Sequence, residues 1–239
     1  MDVQIVGEGA TSIVAVHGIQ GTRAAWLPVA RRLSGQVRFV LPNLRGRGSA
    51  VRGSAVADYE LEAYAGDLAE VVAAHVGDAG FLLAGWSMGV SVALAYLGLR
   101  LGARPDGLVL VSGSPCLQQT RWFTGEGQDL IAEVAARERR LGLTEAADHD
   151  AVAHTWRAIS RTDQRPALPA LDQPALVLHG RDDEDCPWSH AGWLAEGLPR
   201  ARLATVEGAG HSLLKQATET VAAEISQFIA RIERTQEPA

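Results

Sequence analysis

The stretch GFLLAGWSMG (80–89) decides how this chain is read: an apolar run, a serine between glycines, and Met88 opening an Ala/Leu-rich segment. A short apolar run bounded by glycine predicts a strand covered on both faces. MGVSVALAYLGLRL (88–101) has the spacing and composition of a helix. Ser87 then stands on a tight strand-to-helix turn. Gly85 and Gly89 suit that place, because the backbone there is strained and runs close to adjacent strands. A helix N-terminus after the serine aims its dipole and free N–H groups at negative charge developing beside the hydroxyl. Such a serine is a nucleophile only if a base, an acid and oxyanion donors stand elsewhere in the chain.

Outward from this turn, apolar β-branched runs alternate with helical segments. Strands are expected at SIVAVH (12–17), VRFVL (37–41), GFLLAGW (80–86), GLVLVSG (107–113), ALVLHG (175–180) and ARLATV (201–206), with VQIV (3–6) as an edge strand. Helices are expected at 24–33, 61–76, 88–101 and 218–233. This alternation predicts an α/β fold with a mostly parallel central sheet flanked by helices. From Pro115 to Pro174 the rhythm breaks: QDLIAEVAARERRL (128–141) and AVAHTWRAIS (151–160) are helical and no strand pattern appears. Residues 115–174 are therefore expected as a small helical lid inserted into one domain formed by 1–114 and 175–239. The tail RTQEPA (234–239) is expected to fray.

Composition narrows the function classes. With 239 residues and 47% hydrophobic side chains the chain suits one sizeable core. Its net charge is −6 and its arginines are scattered among acids, which disfavours nucleic acid as a partner. No long apolar window suggests a membrane span, and MDVQIVGEGA lacks the apolar centre of a secretory signal, so a soluble cytoplasmic protein is expected. Cys116 and Cys186 stand far apart without metal-ligand spacing and are expected as free thiols, with no metal site. The dinucleotide spacing G-x-G-x-x-G fails at Val51 and again at Leu213, so no cofactor is expected.

In an open parallel sheet, ligands sit at the carboxyl ends of the strands. The loops that follow strands here hold Ser87, the carboxylates of RDDEDCP (181–187) and His211 in EGAGHSL (207–213). In these roles His211 takes the Ser87 proton and returns it to the leaving group, while an aspartate fixes the imidazole tautomer. HGIQG (17–21) supplies a further loop able to offer an oxyanion donor.

With HGIQG, LPNLRGRGS (41–49), GWSMG (85–89), HGRDDEDCP (179–187) and GAGHS (208–212) in place, the chain resembles the α/β-hydrolase superfamily over nearly its whole length. The resemblance implies Ser87 as nucleophile, His211 as base and Asp183 as the acid, the last because G-x-x-D-x-x-x-P aligns Gly180, Asp183 and Pro187. It also implies the backbone N–H groups of Ile19 and Met88 as the oxyanion hole. Two positions depart from the family pattern, Asn43 where Asp is common and Val90 where a second glycine is common. VSGSPCLQQTRW (111–122) and the helical insertion are similar to bacterial carboxylesterases acting on pimeloyl carrier-protein methyl ester.

The function expected is a carboxylesterase, cleaving a carboxylic ester or thioester with an apolar acyl part. Its substrate is a small-molecule ester, free or borne by a carrier protein. The same residues serve carbon–carbon bond hydrolysis, lactone hydrolysis and cofactor-free perhydrolysis, and a ligand-binding protein with little turnover is the reading from another class. Trp86, Trp122 and Phe123 are candidates to line the substrate pocket, and Arg121, Arg137, Arg139 and Arg140 to form a basic patch for an acidic carrier. His17 is expected to bridge backbone groups, His179 to pack, and His75, His149, His154 and His190 to lie at the surface. Arg45 and Arg47 are expected in a solvated or salt-bridged loop.

Overall fold

The computed structural model describes residues 2–77, 79–143 and 145–236. Among these described residues, seven strands form one sheet: β1 (Asp2–Val6), β2 (Thr11–Val16), β3 (Val37–Asn43), β4 (Phe81–Trp86), β5 (Gly107–Val111), β6 (Ala175–Gly180) and β7 (Ala201–Val206). Their spatial order is β1-β3-β2-β4-β5-β6-β7. Only β1 runs antiparallel, pairing with β3 at one edge as expected for VQIV. The helices are α1 (Leu27–Arg32), α2 (Leu61–His75), α3 (Met88–Leu99), α4 (Gly127–Leu141), α5 (His149–Ile159), α6 (Trp188–Gly197), α7 (Leu213–Gln216) and α8 (Thr218–Gln236).

Successive strand side chains point to opposite faces, and here both faces are covered. In β2, Val14 and Val16 join the core beneath α2 and α3, whereas Ile13 and Ala15 join the core beneath α1 and α8. That double burial is why the central strands read as continuous apolar runs. α3 is itself enclosed, with every residue from Met88 to Leu94 buried, so its sequence is apolar all round.

AAWLPVARRL divides into a 3-10 turn at Arg23–Trp26 and then α1, because Pro28 lacks an N–H and suits only the first turn of a helix. The α6 helix has no counterpart among the expected helices. Its glycines Gly192 and Gly197 weaken the local signal, and burial of His190, Ala191 and Leu194 against the sheet compensates. Between β5 and β6 the chain forms a 3-10 turn (Leu117–Gln119), α4, α5 and a second 3-10 segment (Arg165–Ala170). α8 continues through Arg234 to Gln236, the first half of the tail expected to fray; residues 237–239 lie outside the described residues. Among the described residues no helix is long and apolar enough to cross a membrane.

Candidate active site

Ser87 links β4 to α3 at φ 57° and ψ −121°, a conformation that costs a non-glycine residue about 1–3 kcal/mol. Two close approaches hold it there. A Cβ on Gly85 would stand 2.4 Å from the Gly89 backbone, and a Cβ on Gly89 would stand 2.4 Å from the Val16 carbonyl oxygen. Only glycine permits the turn to pack this tightly against β2.

The loop after β7 carries His211 to the serine. Its Nδ1–H donates to both Asp183 carboxylate oxygens at 3.0 Å, which leaves Nε2 free to accept the Ser87 hydroxyl at 2.9 Å. Asp183 comes from the loop after β6 and is buried. Its Oδ1 also accepts Asp185 N–H at 3.0 Å and Cys186 N–H at 2.8 Å. His179 Nε2 lies 3.4 Å from Oδ2, and its proton goes to the Cys186 carbonyl oxygen at 2.7 Å. The Asp185 carboxylate makes no hydrogen bond to His211 and pairs instead with Arg137 at 2.9 Å and Arg140 at 3.0 Å, and Asp182 is exposed. The structure thus brings Ser87, His211 and Asp183 into one hydrogen-bonded chain and leaves the other two aspartates of that loop out of it.

Met88 is the first residue of α3, so its N–H has no intrahelical acceptor. The HGIQG loop packs on the same turn: a Cβ on Gly18 would stand 3.1 Å from the Ser87 Cβ. Two buried side chains fix this loop. His17 Nδ1–H donates to the Gly18 carbonyl at 2.8 Å and its Nε2 accepts Leu44 N–H at 3.1 Å, so it bridges backbone groups. Arg47 donates to the Ile19 carbonyl, to the Arg45 carbonyl at 2.7 Å and to the Tyr64 hydroxyl at 2.6 Å. Arg47 is therefore buried instead of solvated, whereas Arg45 is salt-bridged to Asp67. Asn43 accepts Arg23 N–H at 2.8 Å and donates to Asp2 at 2.8 Å, tying β3 to β1 and to the turn before α1.

Burial, with the Arg47 charge adding to it, lowers the His17 pKa to about 3, so the ring is neutral in the folded chain. The unfolded chain binds a proton at His17 below about pH 6.5 and the folded chain does not until about pH 3. Stability from this group is thus present above pH 6.5 and lost as pH falls through that window, by about 2 kcal/mol at pH 5. Urea unfolding of the wild type should show a lower midpoint at pH 5 than at pH 7. His17→Gln should be less stable at pH 7, with a shallower fall; an equal fall in both proteins would contradict the assignment.

Two depressions flank His211. One, of 520 Å³, is lined by His211, Arg140, Lys215 and the carboxylates Asp182, Glu184 and Asp185. The other, of 370 Å³, is mainly apolar, with Ala24, Ala25, Pro28, Trp86, Leu143 and Leu214 in its wall. Trp86 donates its Nε1–H to the His211 carbonyl at 3.0 Å, and its ring lies 5.5 Å from the imidazole. Leu141, Ser212 and Lys215 line both depressions. Ser87 itself is 2% exposed.

Of the three aromatic residues expected at the pocket, only Trp86 borders either depression. Trp122 and Phe123 instead pack on Trp156 at 5.6 and 5.7 Å and border a separate 290 Å³ hollow with Arg121, Arg137 and Arg140. The expected basic patch is likewise reduced, because Arg137 is buried and Arg140, though exposed, pairs with Asp185; Arg121 and Arg139 are exposed as well. His190 is buried and stacked on Trp193, contrary to its expected surface position. Apart from Trp86, the wall residues of the apolar depression carry no signal in the sequence, since small and apolar side chains there look like any core. Cys116 and Cys186 are free and buried, and burial raises both thiol pKa values. Among the described residues no cluster of three or more His, Cys, Asp or Glu is disposed to hold a metal ion.

The chain is 27% identical over 241 residues to a pimeloyl-[acyl-carrier protein] methyl ester esterase of Nitrosomonas europaea, an alignment covering 88% of this chain and 92% of that protein. It is 27% identical over 230 residues to a putative carbamate hydrolase of Pantoea ananatis, covering 85% of this chain and 82% of the other. An esterase from Exiguobacterium antarcticum superposes with a TM-score of 0.81 at 21% identity, over 95% of this chain and 94% of that one. A model of the alpha/beta hydrolase family matches residues 13–224, and the chain belongs to that family.

Proposed function

We propose that the protein is a serine esterase that cleaves a carboxylic ester or thioester with an apolar acyl part through an acyl-enzyme. One observation carries this reading: Ser87, strained and buried at the head of α3, is the hydroxyl donor to an imidazole already oriented by a buried carboxylate. Ser87 Oγ attacks the acyl carbon as His211 Nε2 takes its proton. The carbonyl electron pair moves onto oxygen, where the Ile19 and Met88 N–H groups stabilise it. Collapse expels the alcohol or thiol, which receives the proton from His211. Water then attacks the acyl-enzyme by the same route and releases the acid. Asp183 holds the imidazole in this tautomer and stabilises the imidazolium.

The apolar depression beside Trp86 favours a hydrocarbon group near the reacting carbonyl, whether on a free ester or on a carrier-bound one. Hydrolysis of p-nitrophenyl esters from acetate to decanoate tests the reading. The wild type is expected to turn over short and medium chains, with the rate falling once the chain outgrows the depression. Absence of turnover on every member would overturn ester hydrolysis as the activity.

A further inference from the structure

Arg137 on α4 is 7% exposed, and a guanidinium withdrawn from water needs partners for its charge; its two terminal nitrogens find them, while its buried Nε has none. Its Nη1 donates to Gln20 Oε1 at 2.7 Å and its Nη2 to Asp185 Oδ2 at 2.9 Å. The Phe123 and Trp122 rings lie 5.7 and 6.0 Å from its central carbon. Gln20 donates its amide N–H back to the Val134 carbonyl of α4 at 2.8 Å, and its own carbonyl accepts Ala147 N–H at 2.9 Å.

The two partners of Arg137 sit beside the two ends of the reactive centre. Gln20 directly follows Ile19, and Asp185 contributes one of the N–H groups that hold Asp183. Their loops follow β2 and β6, and β4 and β5 lie between those strands. Among the described residues no hydrogen bond joins 17–21 directly to 181–187, and Arg137 is the one side chain bonded to both. Its planar fork addresses two acceptors in fixed directions, whereas a lysine ammonium is a point charge on a flexible stem.

We propose that Arg137 is a positioning residue that sets the spacing between the Ile19 loop and the Asp183 loop, holding oxyanion donor and imidazole in register around one tetrahedral centre. The proposal rests on the serine-esterase reading. It makes α4 part of the reaction geometry, without contact between Arg137 and the substrate.

Arg137→Met and Arg137→Lys, assayed on p-nitrophenyl butyrate beside the wild type and Ser87→Ala, test it. Circular dichroism and thermal melts check folding. In Arg137→Met kcat should fall on the order of a hundredfold while KM changes little, as expected for lost alignment. Covalent labelling by a fluorophosphonate should slow in parallel, and added ethylguanidinium should restore part of both rates. Arg137→Lys should fall between Arg137→Met and wild type, and decides the matter if Arg137→Met does not fold. Combined with Gln20→Ala, the losses should be less than additive. Wild-type kcat in a folded variant, or a loss carried wholly by KM, overturns the positioning role. Wild-type turnover in Ser87→Ala instead overturns the esterase reading, so the two failures are told apart.

Discussion

Ser87→Ala should lower turnover of a p-nitrophenyl ester by about a million-fold, and His211→Ala by a similar factor, because the two act as one unit in forming the acyl-enzyme. Without Oγ no acyl-enzyme forms; without the imidazole the hydroxyl keeps its proton and the leaving group gains none. The fold should survive the serine change. Oγ has the His211 ring as its partner, and alanine fits the same volume, although it inherits the same positive φ. A melting temperature near that of the wild type, measured on the same sample as kcat, shows that the loss lies in the chemistry. Turnover within tenfold of wild type in either variant contradicts the assignment.

Asp183→Asn should cost on the order of ten thousand-fold in kcat, through the tautomer of His211. The Asp185 and Cys186 N–H groups donate to Oδ1, so an asparagine turns its carbonyl oxygen toward them and its NH2 toward His211. The imidazole then accepts at Nδ1 and carries its proton on Nε2, where it cannot take one from Ser87. Asp182→Asn, in the same loop but exposed, should leave kcat close to wild type. Equal losses in the two variants would show that the loop, and not the carboxylate on His211, sets the rate.

Much of the architecture was legible because its causes are local. Strands buried on both faces must be apolar at consecutive positions, so β2, β4, β5 and β6 stand out as uninterrupted runs. The serine between Gly85 and Gly89 stands out because steric exclusion leaves no other residue in those flanking places. α6 was not legible, since its glycines weaken helix propensity and its stability comes from burial against strands distant in sequence. Residue types likewise left three aspartates in RDDEDCP, and the resemblance to a family chose among them.

The sequence by itself determined the order of the strands and of the helices other than α6 and α7, and that a serine, a carboxylate loop and a histidine follow strand ends. It did so because burial and turn sterics act on each element separately. Tertiary structure alone decided that Asp185 turns to Arg137 while Asp183 turns to His211, that Trp122 and Phe123 pack on Trp156, and that Arg137 is buried. Those outcomes depend on which side chains from remote segments meet in the packed core, and periodicity along one segment carries no record of its partners.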